Sequence, residues 1–322
     1  MTEPLKATFF ALKHRDRGVL LPATGVFVVI VALLAAAFVA LNWDALAHFR
    51  DWFLTARDGK DPSRALAVIS RVFLLVGSVF LFMIPLYFAF ACYEAACLRW
   101  MIRGEAPGVF GFIVNNDVWR VYGVYWCWFI AHMAVGMVMS IFMMPIMFLT
   151  MGDMMRHPGD AQAMMHWQFS VQLPLTLLQY VPLIFLGVRF GPAAATSIAR
   201  KRFSFLEAWT VTRRRFWELL GSFALLWVLA GLAWALIFAA TIAPMIARAW
   251  PLVHDIWQKP SEEHMQAYFS AVLAPGNVAI IGSGYLANMA VALGLAFMSY
   301  GVNARAASRA LEQGVIALAP GE

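Results

Sequence analysis

Charge is scarce in this sequence. Asp, Glu, Lys and Arg make up 13% of its 322 residues, against ~25% in an ordinary soluble domain. Hydrophobic residues make up 62%, and a soluble globule, which must cover its core with polar groups, has no use for that much apolar surface. A bilayer is the solvent that fits. Cysteine is scarce too: Cys92, Cys97 and Cys127 all sit in or beside apolar runs. That placement argues against a disulfide framework and leaves them as small buried hydrophobes. Catalytic signatures are missing. There is no His-Glu-x-x-His, no Gly-x-Ser-x-Gly and no phosphate-cradling glycine loop. Gly282-Ser283-Gly284 is only a glycine-flanked serine in an apolar run, with no evident His or Asp partner. The expectation is a protein that is not an enzyme and needs no cofactor. Strict apolar–polar alternation is absent as well, which excludes a membrane β-barrel.

What the chain has instead is length of apolar run. Crossing the hydrocarbon core as a helix takes ~20 apolar residues, and six segments qualify: 19–41, 72–93, 121–150, 169–188, 216–247 and 277–302. The first is too long for the ~7–15-residue core of a signal peptide, so it is expected to stay as a span. The predicted fold is an all-α, polytopic six-helix domain covering 1–322. Lys and Arg total 15 on the side that holds both termini and the second and fourth connections, and 7 on the other. By the positive-inside rule both termini lie in the cytoplasm. Arginine outnumbers lysine and alanine is abundant, which suggests a GC-rich bacterial genome, and the expected location is a bacterial inner membrane. The net charge of +6 is thereby spent on topology, and no nucleic-acid partner is expected. Trp43, Trp52, Trp167, Trp250 and Trp257 flank span ends on the less basic side, as interfacial aromatics do.

Sliding the chain against itself by 98 residues aligns it without gaps. Trp119 falls on Trp217, Gly123 on Gly221, and Ala95-Ala96 on Ala193-Ala194, while Pro85 lands one residue from Pro182. Spans two and three therefore read as a repeat of spans four and five: a proline-bearing helix, a basic connection, then a helix with Trp at its start. Both copies begin and end on the same side, as in the parallel repeats of some transporters.

The fourth connection is the most patterned. Ser204-Phe205-Leu206-Glu207 reads as a capping box. Phe205, Trp209, Thr212 and Phe216 follow on one helical stripe, flanked by Lys201, Arg202, Arg213, Arg214 and Arg215. A helix of that kind lies in the headgroup layer, where each basic residue near an anionic leaflet contributes ~1 kcal/mol. Lys201, Arg202, Arg213, Arg214, Arg215 and Trp209 are thus the candidate residues for binding lipid or a partner. The stretch from Phe203 to Trp209, continued by Arg215-Phe216-Trp217-Glu218-Leu219-Leu220-Gly221, resembles the recurring unit of a group of bacterial membrane proteins. That group comprises the YciC-like proteins, the DUF975 proteins and the membrane domain attached to some glycerophosphodiester phosphodiesterases. The resemblance covers about half the chain and implies a six-helix membrane fold. No phosphodiesterase domain lies within the 322 residues, so that activity is not implied.

Three further sets of residues stand out. Glu94 and Arg189 close charge-free runs near the basic ends of spans two and four, and the repeat places them one turn apart, as an ion pair across a seam. Asn288 and Asn303 in span six are placed to bond neighbouring helices. Gly187, Gly191 and Pro192 interrupt span four, and Gly282, Gly284 and Gly294 span six; these positions mark either close packing or a transporter-type broken helix. Eleven of the 18 methionines fall between Met133 and Met165. Among them Met151, Met154, Met155, Met164 and Met165, with Met147, accompany His157 and His166, a soft donor set suited to Cu(I) or an adaptable apolar surface. The expected function is that of an accessory or scaffold protein binding membrane lipid, anionic lipid in particular, or another membrane protein. A small-molecule transporter or channel is the alternative, and copper handling the third reading.

Overall fold

The computed structural model describes residues 7–13, 20–48, 62–108, 111–156, 168–258, 267, 270 and 274–318. The elements in order are α1 (Phe10–Lys13), α2 (Leu20–Leu41), α3 (Trp43–Ala47), α4 (Pro62–Arg103), α5 (Asn116–Arg156), a π turn (Gln168–Gln172), α6 (Leu173–Phe190), α7 (Ala193–Arg200), α8 (Glu207–Thr212), α9 (Phe216–Gln258) and α10 (Pro275–Glu312). No strand occurs among the described residues. Six helical segments are long and apolar enough to cross a membrane: Leu20–Leu41, Val68–Arg103, Asn116–Ile146, Phe169–Arg200, Phe216–Ala247 and Gly276–Glu312. The chain is a multi-pass, all-helical membrane protein.

Several helices outrun the apolar stretches that predicted them. At 1.5 Å per residue, the 42 residues of α4 reach about 63 Å, twice the ~30 Å hydrocarbon core. Burial shows where the excess goes. In the most apolar window of each span no more than 11% of the residues are buried, whereas every residue from 91 to 101 and from 192 to 199 is. The packed core therefore lies at the basic ends of the helices, and the spanning bodies present their side chains outward, as lipid-facing helices do.

Contacts divide the described chain into two compact units. One comprises residues 1–13 with 215–305; the other comprises 14–214 with 306–322. In the first, α1 docks on α10: a Cβ added at Gly301 would sit 2.7 Å from the Ala11 Cβ, and the Arg305 guanidinium lies 5.6 Å from the Phe10 ring. Gly284 of α10 meets Thr241 of α9, whose Oγ1 would be 3.0 Å from an added Cβ. Gly284 thus supports the packing explanation for that glycine. Asn288 differs from expectation: its amide donates to the Gly284 carbonyl of its own helix, 2.9 Å away.

In the second unit α2 packs along α4. Thr24 and the Tyr93 hydroxyl share a 3.0 Å hydrogen bond, and Phe27 stacks on Tyr93 at 4.5 Å. α4 and α5 meet through rings, Tyr87 with Tyr125 at 5.6 Å and Phe80 with Phe129 at 6.3 Å. Each such aromatic pair adds about 0.5–1.5 kcal/mol beyond its buried area. Span four is broken where the sequence placed Gly191 and Pro192. Pro192 has no N–H to continue the ladder, and α7 restarts at Ala193.

Candidate functional site

The basic end of the second unit is a lattice of polar side chains built on one carboxylate. Asp117, in the first turn of α5, is buried. It accepts hydrogen bonds from Arg103 Nη1 and Nη2 at 2.9 and 3.3 Å, and from Arg120 Nη1 at 2.9 Å. Arg103 closes α4, and its Nη2 also donates to the Ile198 carbonyl of α7. One guanidinium thus ties the ends of three helices. Asn115, just before α5, accepts from the Asp117 N–H at 3.1 Å and from Arg99 Nη1 at 2.8 Å. Arg99 is 1% exposed, so its charge depends on this lattice for compensation. The connection leading into Asn115 turns on Gly104, Gly108 and Gly111, all at positive φ, where glycine carries no Cβ penalty.

From α7 the lattice runs into the fourth connection. α7 ends in a Schellman turn: Arg202 N–H bonds the Ser197 carbonyl at 3.1 Å and Lys201 N–H the Ile198 carbonyl at 3.2 Å. Lys201 takes the left-handed conformation at φ 56° that glycine usually supplies. The capping box does not form. Ser204 is wholly buried; its N–H donates to Ser197 Oγ at 3.0 Å, and its own Oγ accepts from Arg200 at 3.1 Å. Glu207 instead pairs with Arg200 at 2.9 Å and Arg202 at 3.5 Å, and the helix starts after Leu206 with no side-chain cap. Ser204 is occupied two turns back because α7 brings Ser197 beneath it, a tertiary contact that outcompetes the local motif. Arg200 Nε reaches the Ala317 carbonyl at 3.0 Å, so the C-terminal segment joins the same lattice.

The connector helix also turns differently from the predicted stripe. Ala208, Val211 and Thr212 are buried, and Phe205 stacks on Phe190 at 4.9 Å. Phe203 fills the space beside Gly123, one of the repeat anchors, at 3.1 Å from an added Cβ. The face turned outward carries Leu206 at 73% and Trp209 at 39% exposure, with exposed Arg213 one further turn along the same stripe. Arg202, Phe203 and Arg214 are exposed beside it, while Lys201 and Arg215 are half-buried. Of the candidate set, Lys201, Arg202, Trp209, Arg213 and Arg214 lie on this connector, with Lys201 serving the turn; Arg215 belongs to the other unit. Leu206 and Phe203, which sequence reasoning left out, supply much of its apolar surface.

Glu94 and Arg189 are engaged separately. Glu94, buried, accepts from the Tyr125 hydroxyl at 2.6 Å. Arg189 lies over the Trp209 ring at 4.8 Å and the Phe185 ring at 5.5 Å, while its carbonyl accepts from Thr212 Oγ1 at 3.1 Å. Arg189 thus anchors the connector helix. Met151, Met154 and Met155 lie on the last turns of α5, but their side chains, and all of His157, Met164, Met165 and His166, lie outside the described residues. No protein-family model matches the chain, and neither a curated protein nor a solved structure does.

Proposed function

We propose that this is a bacterial inner-membrane protein, both termini cytoplasmic, that works as an accessory or scaffold protein by binding anionic lipid or another membrane protein through its fourth connection. One observation carries the reading: a connector whose backbone is pinned by buried Ser197, Ser204 and Thr212 holds Leu206, Trp209 and Arg213 outward on a single stripe, with Phe203, Arg202 and Arg214 alongside. A buried inner face and an outer face that mixes large apolar with basic side chains match a segment seated at the headgroup boundary. The alignment at 98 residues and the resemblance to the YciC-like group add weight to a repeated six-helix membrane architecture.

The test is lipid-dependent stabilisation of the purified protein by phosphatidylglycerol against phosphatidylcholine. With ~1 kcal/mol per basic residue near an anionic surface, replacing Arg202, Arg213 and Arg214 with Gln costs about 3 kcal/mol, roughly a hundredfold in affinity. The wild type is expected to be stabilised selectively by phosphatidylglycerol, and more so at low salt. Equal selectivity in the triple variant would remove the connector as the lipid reader. The transporter alternative draws on Glu94, a buried carboxyl facing Tyr125. Under that reading Glu94→Gln abolishes coupled flux into proteoliposomes, and undiminished flux eliminates it.

A further inference from the structure

The C-terminal segment is tied to the connector through one side chain. α10 stops at Glu312, and Gly314, at φ 67°, closes a Schellman turn behind it. The Gly314 N–H bonds the Leu311 carbonyl at 3.1 Å, and the Val315 N–H bonds the Ala310 carbonyl at 2.9 Å. Beyond the turn Ile316 is buried, at 6% exposure, while Val315, Ala317 and Leu318 are exposed. The segment belongs to the second unit, and Ile316 is its apolar anchor there. Its polar anchor is the Ala317 carbonyl, which accepts from Arg200 Nε at 3.0 Å. Elements with so few buried side chains and with exposed hydrogen bonds are the ones that open locally while the rest stays folded.

Arg200 carries the tie into the connector. Its Nη1 donates to Ser204 Oγ at 3.1 Å and lies 2.9 Å from Glu207 Oε1. Ser204 fixes the entry to the connector, and Glu207 is the first residue of α8. A guanidinium is planar, with its N–H groups in fixed directions, so holding Nε at Ala317 sets where Nη1 points. With Nε released, the side chain regains rotamer freedom, and its hold on Ser204 and Glu207 weakens. Arg202, 3.5 Å from Glu207 and itself 58% exposed, is a poor substitute. The face that carries Leu206, Trp209 and Arg213 is thus ordered in part from the far end of the sequence, with Arg200 as the positioning residue.

Taking the connector as the proposed lipid contact, we infer that residues 315–318 are a detachable strap that regulates it. Docked, as in this structure, the strap fixes Arg200 and through it Ser204 and Glu207. Undocked, it loosens the connector and lowers its affinity for anionic lipid. Capture or removal of the chain end then weakens the lipid contact without touching Arg202, Arg213 or Arg214.

Amide hydrogen exchange and stabilisation by phosphatidylglycerol against phosphatidylcholine, both on the full chain in mild detergent, test it together. Ile316→Gln undocks the strap by placing a polar side chain at its buried anchor. Exchange across residues 203–214 is expected to quicken about tenfold, equivalent to about 1.4 kcal/mol, while residues 116–121 exchange as in the wild type. Selective stabilisation by phosphatidylglycerol is expected to need about tenfold more lipid, the same free energy read at the other site. Arg200→Lys keeps the charge but loses the planar fork; it is expected to reproduce both effects, and decides alone should Ile316→Gln not yield a monodisperse protein. Unchanged exchange in the connector overturns the strap, and so does exchange that quickens equally at 116–121, the mark of a merely structural tail. Faster connector exchange with wild-type or tighter phosphatidylglycerol binding overturns the regulation. A wild type without phosphatidylglycerol selectivity overturns the connector as lipid reader and the regulation with it, whereas the exchange result still decides the strap.

Discussion

Removing the Asp117 charge should be costly, and the effect can be worked from its partners. Its carboxylate is 4% exposed and takes both arms of Arg103 and one of Arg120, each cation 16% exposed. Asp117→Asn keeps the shape and the N-terminal turn of α5 but deletes the only buried negative charge in this cluster of described residues. Breaking a buried pair by removing one partner costs about 3–5 kcal/mol, because the other charge is left uncompensated. Arg103 and Arg120 are partly wetted, which moves the figure to the lower half of that range. Arg99, 1% exposed, has no such relief. At about 2–4 °C per kcal/mol, the thermal midpoint in detergent should fall by about 6–16 °C. Arg120→Gln removes one monodentate cation and leaves the bidentate pair intact, so it should cost no more than about 1 kcal/mol. Adding Arg103→Gln to Asp117→Asn should recover part of the loss, since the orphaned charge goes with it. A single Asp117→Asn variant melting within about 2 °C of the wild type would refute the claim that this carboxylate neutralises the helix ends.

Ser197→Ala should destabilise by about 1–3 kcal/mol, because it leaves the buried Ser204 N–H without the 3.0 Å acceptor it now has; denaturation in detergent measures it. Lys201→Gly should raise stability by up to ~1 kcal/mol at a φ of 56°, a gain that an unchanged or lower midpoint would contradict. Gly301→Ala puts a methyl 2.7 Å from the Ala11 Cβ and 2.9 Å from its backbone nitrogen, so α1 must shift; overpacking of this kind costs about 1–3 kcal/mol. Limited proteolysis should then cut near residues 7–13 faster than in the wild type. For topology, Leu318→Cys, at an exposed position, should react with an impermeant maleimide only after the inner membrane is opened; labelling of intact spheroplasts would reverse the proposed orientation.

The membrane fold was legible because apolar run length is a property of one segment at a time. All six predicted segments, apart from residue 19, which lies outside the described residues, fall in helices that the structure also presents as long and apolar enough to cross. Their far ends were not legible for the same reason: residues 94–103 carry Glu94, Arg99 and Arg103, which end a hydropathy signal but not a helix. The break in span four was visible, since Gly191 and Pro192 act on their own backbone. The capping box failed where Ser197, seven residues upstream, reached Ser204 first, and no local pattern records that competition. The stripe Phe205, Trp209, Thr212 and Phe216 had the right period but the wrong partner. Hydrophobic spacing gives a face without saying whether protein or lipid covers it, and here buried Ala208, Val211 and Thr212 face the protein while Leu206 and Trp209 face out.

The same distinction bears on what holds the protein together. Among lipid-facing helices, side chains gain little by leaving hydrocarbon for one another, so association relies on close packing and polar bonds. In this chain the polar bonds gather at the basic end, where Asp117, Asn115, Ser197, Ser204 and Glu207 join α4, α5, α7, the connector and, through Arg200, the carbonyl of Ala317. Asp117, Asn115 and Ser197 carried no mark of their own in the sequence, and Ser204 and Glu207 were marked for a local cap they do not form. Their signal was a pairing: Arg99 and Arg103 four apart on one face of α4, and an acidic residue opening α5 after Asn115. Positive charge read as topology is also the material of the lattice, while Arg213 and Arg214 face outward. Arg213 and Arg214 stand beside exposed Leu206 and Trp209 on a connector fixed by buried hydroxyls, and it is the loss of phosphatidylglycerol selectivity in the Arg202/Arg213/Arg214→Gln variant that would separate the proposed anionic-lipid contact from plain anchoring.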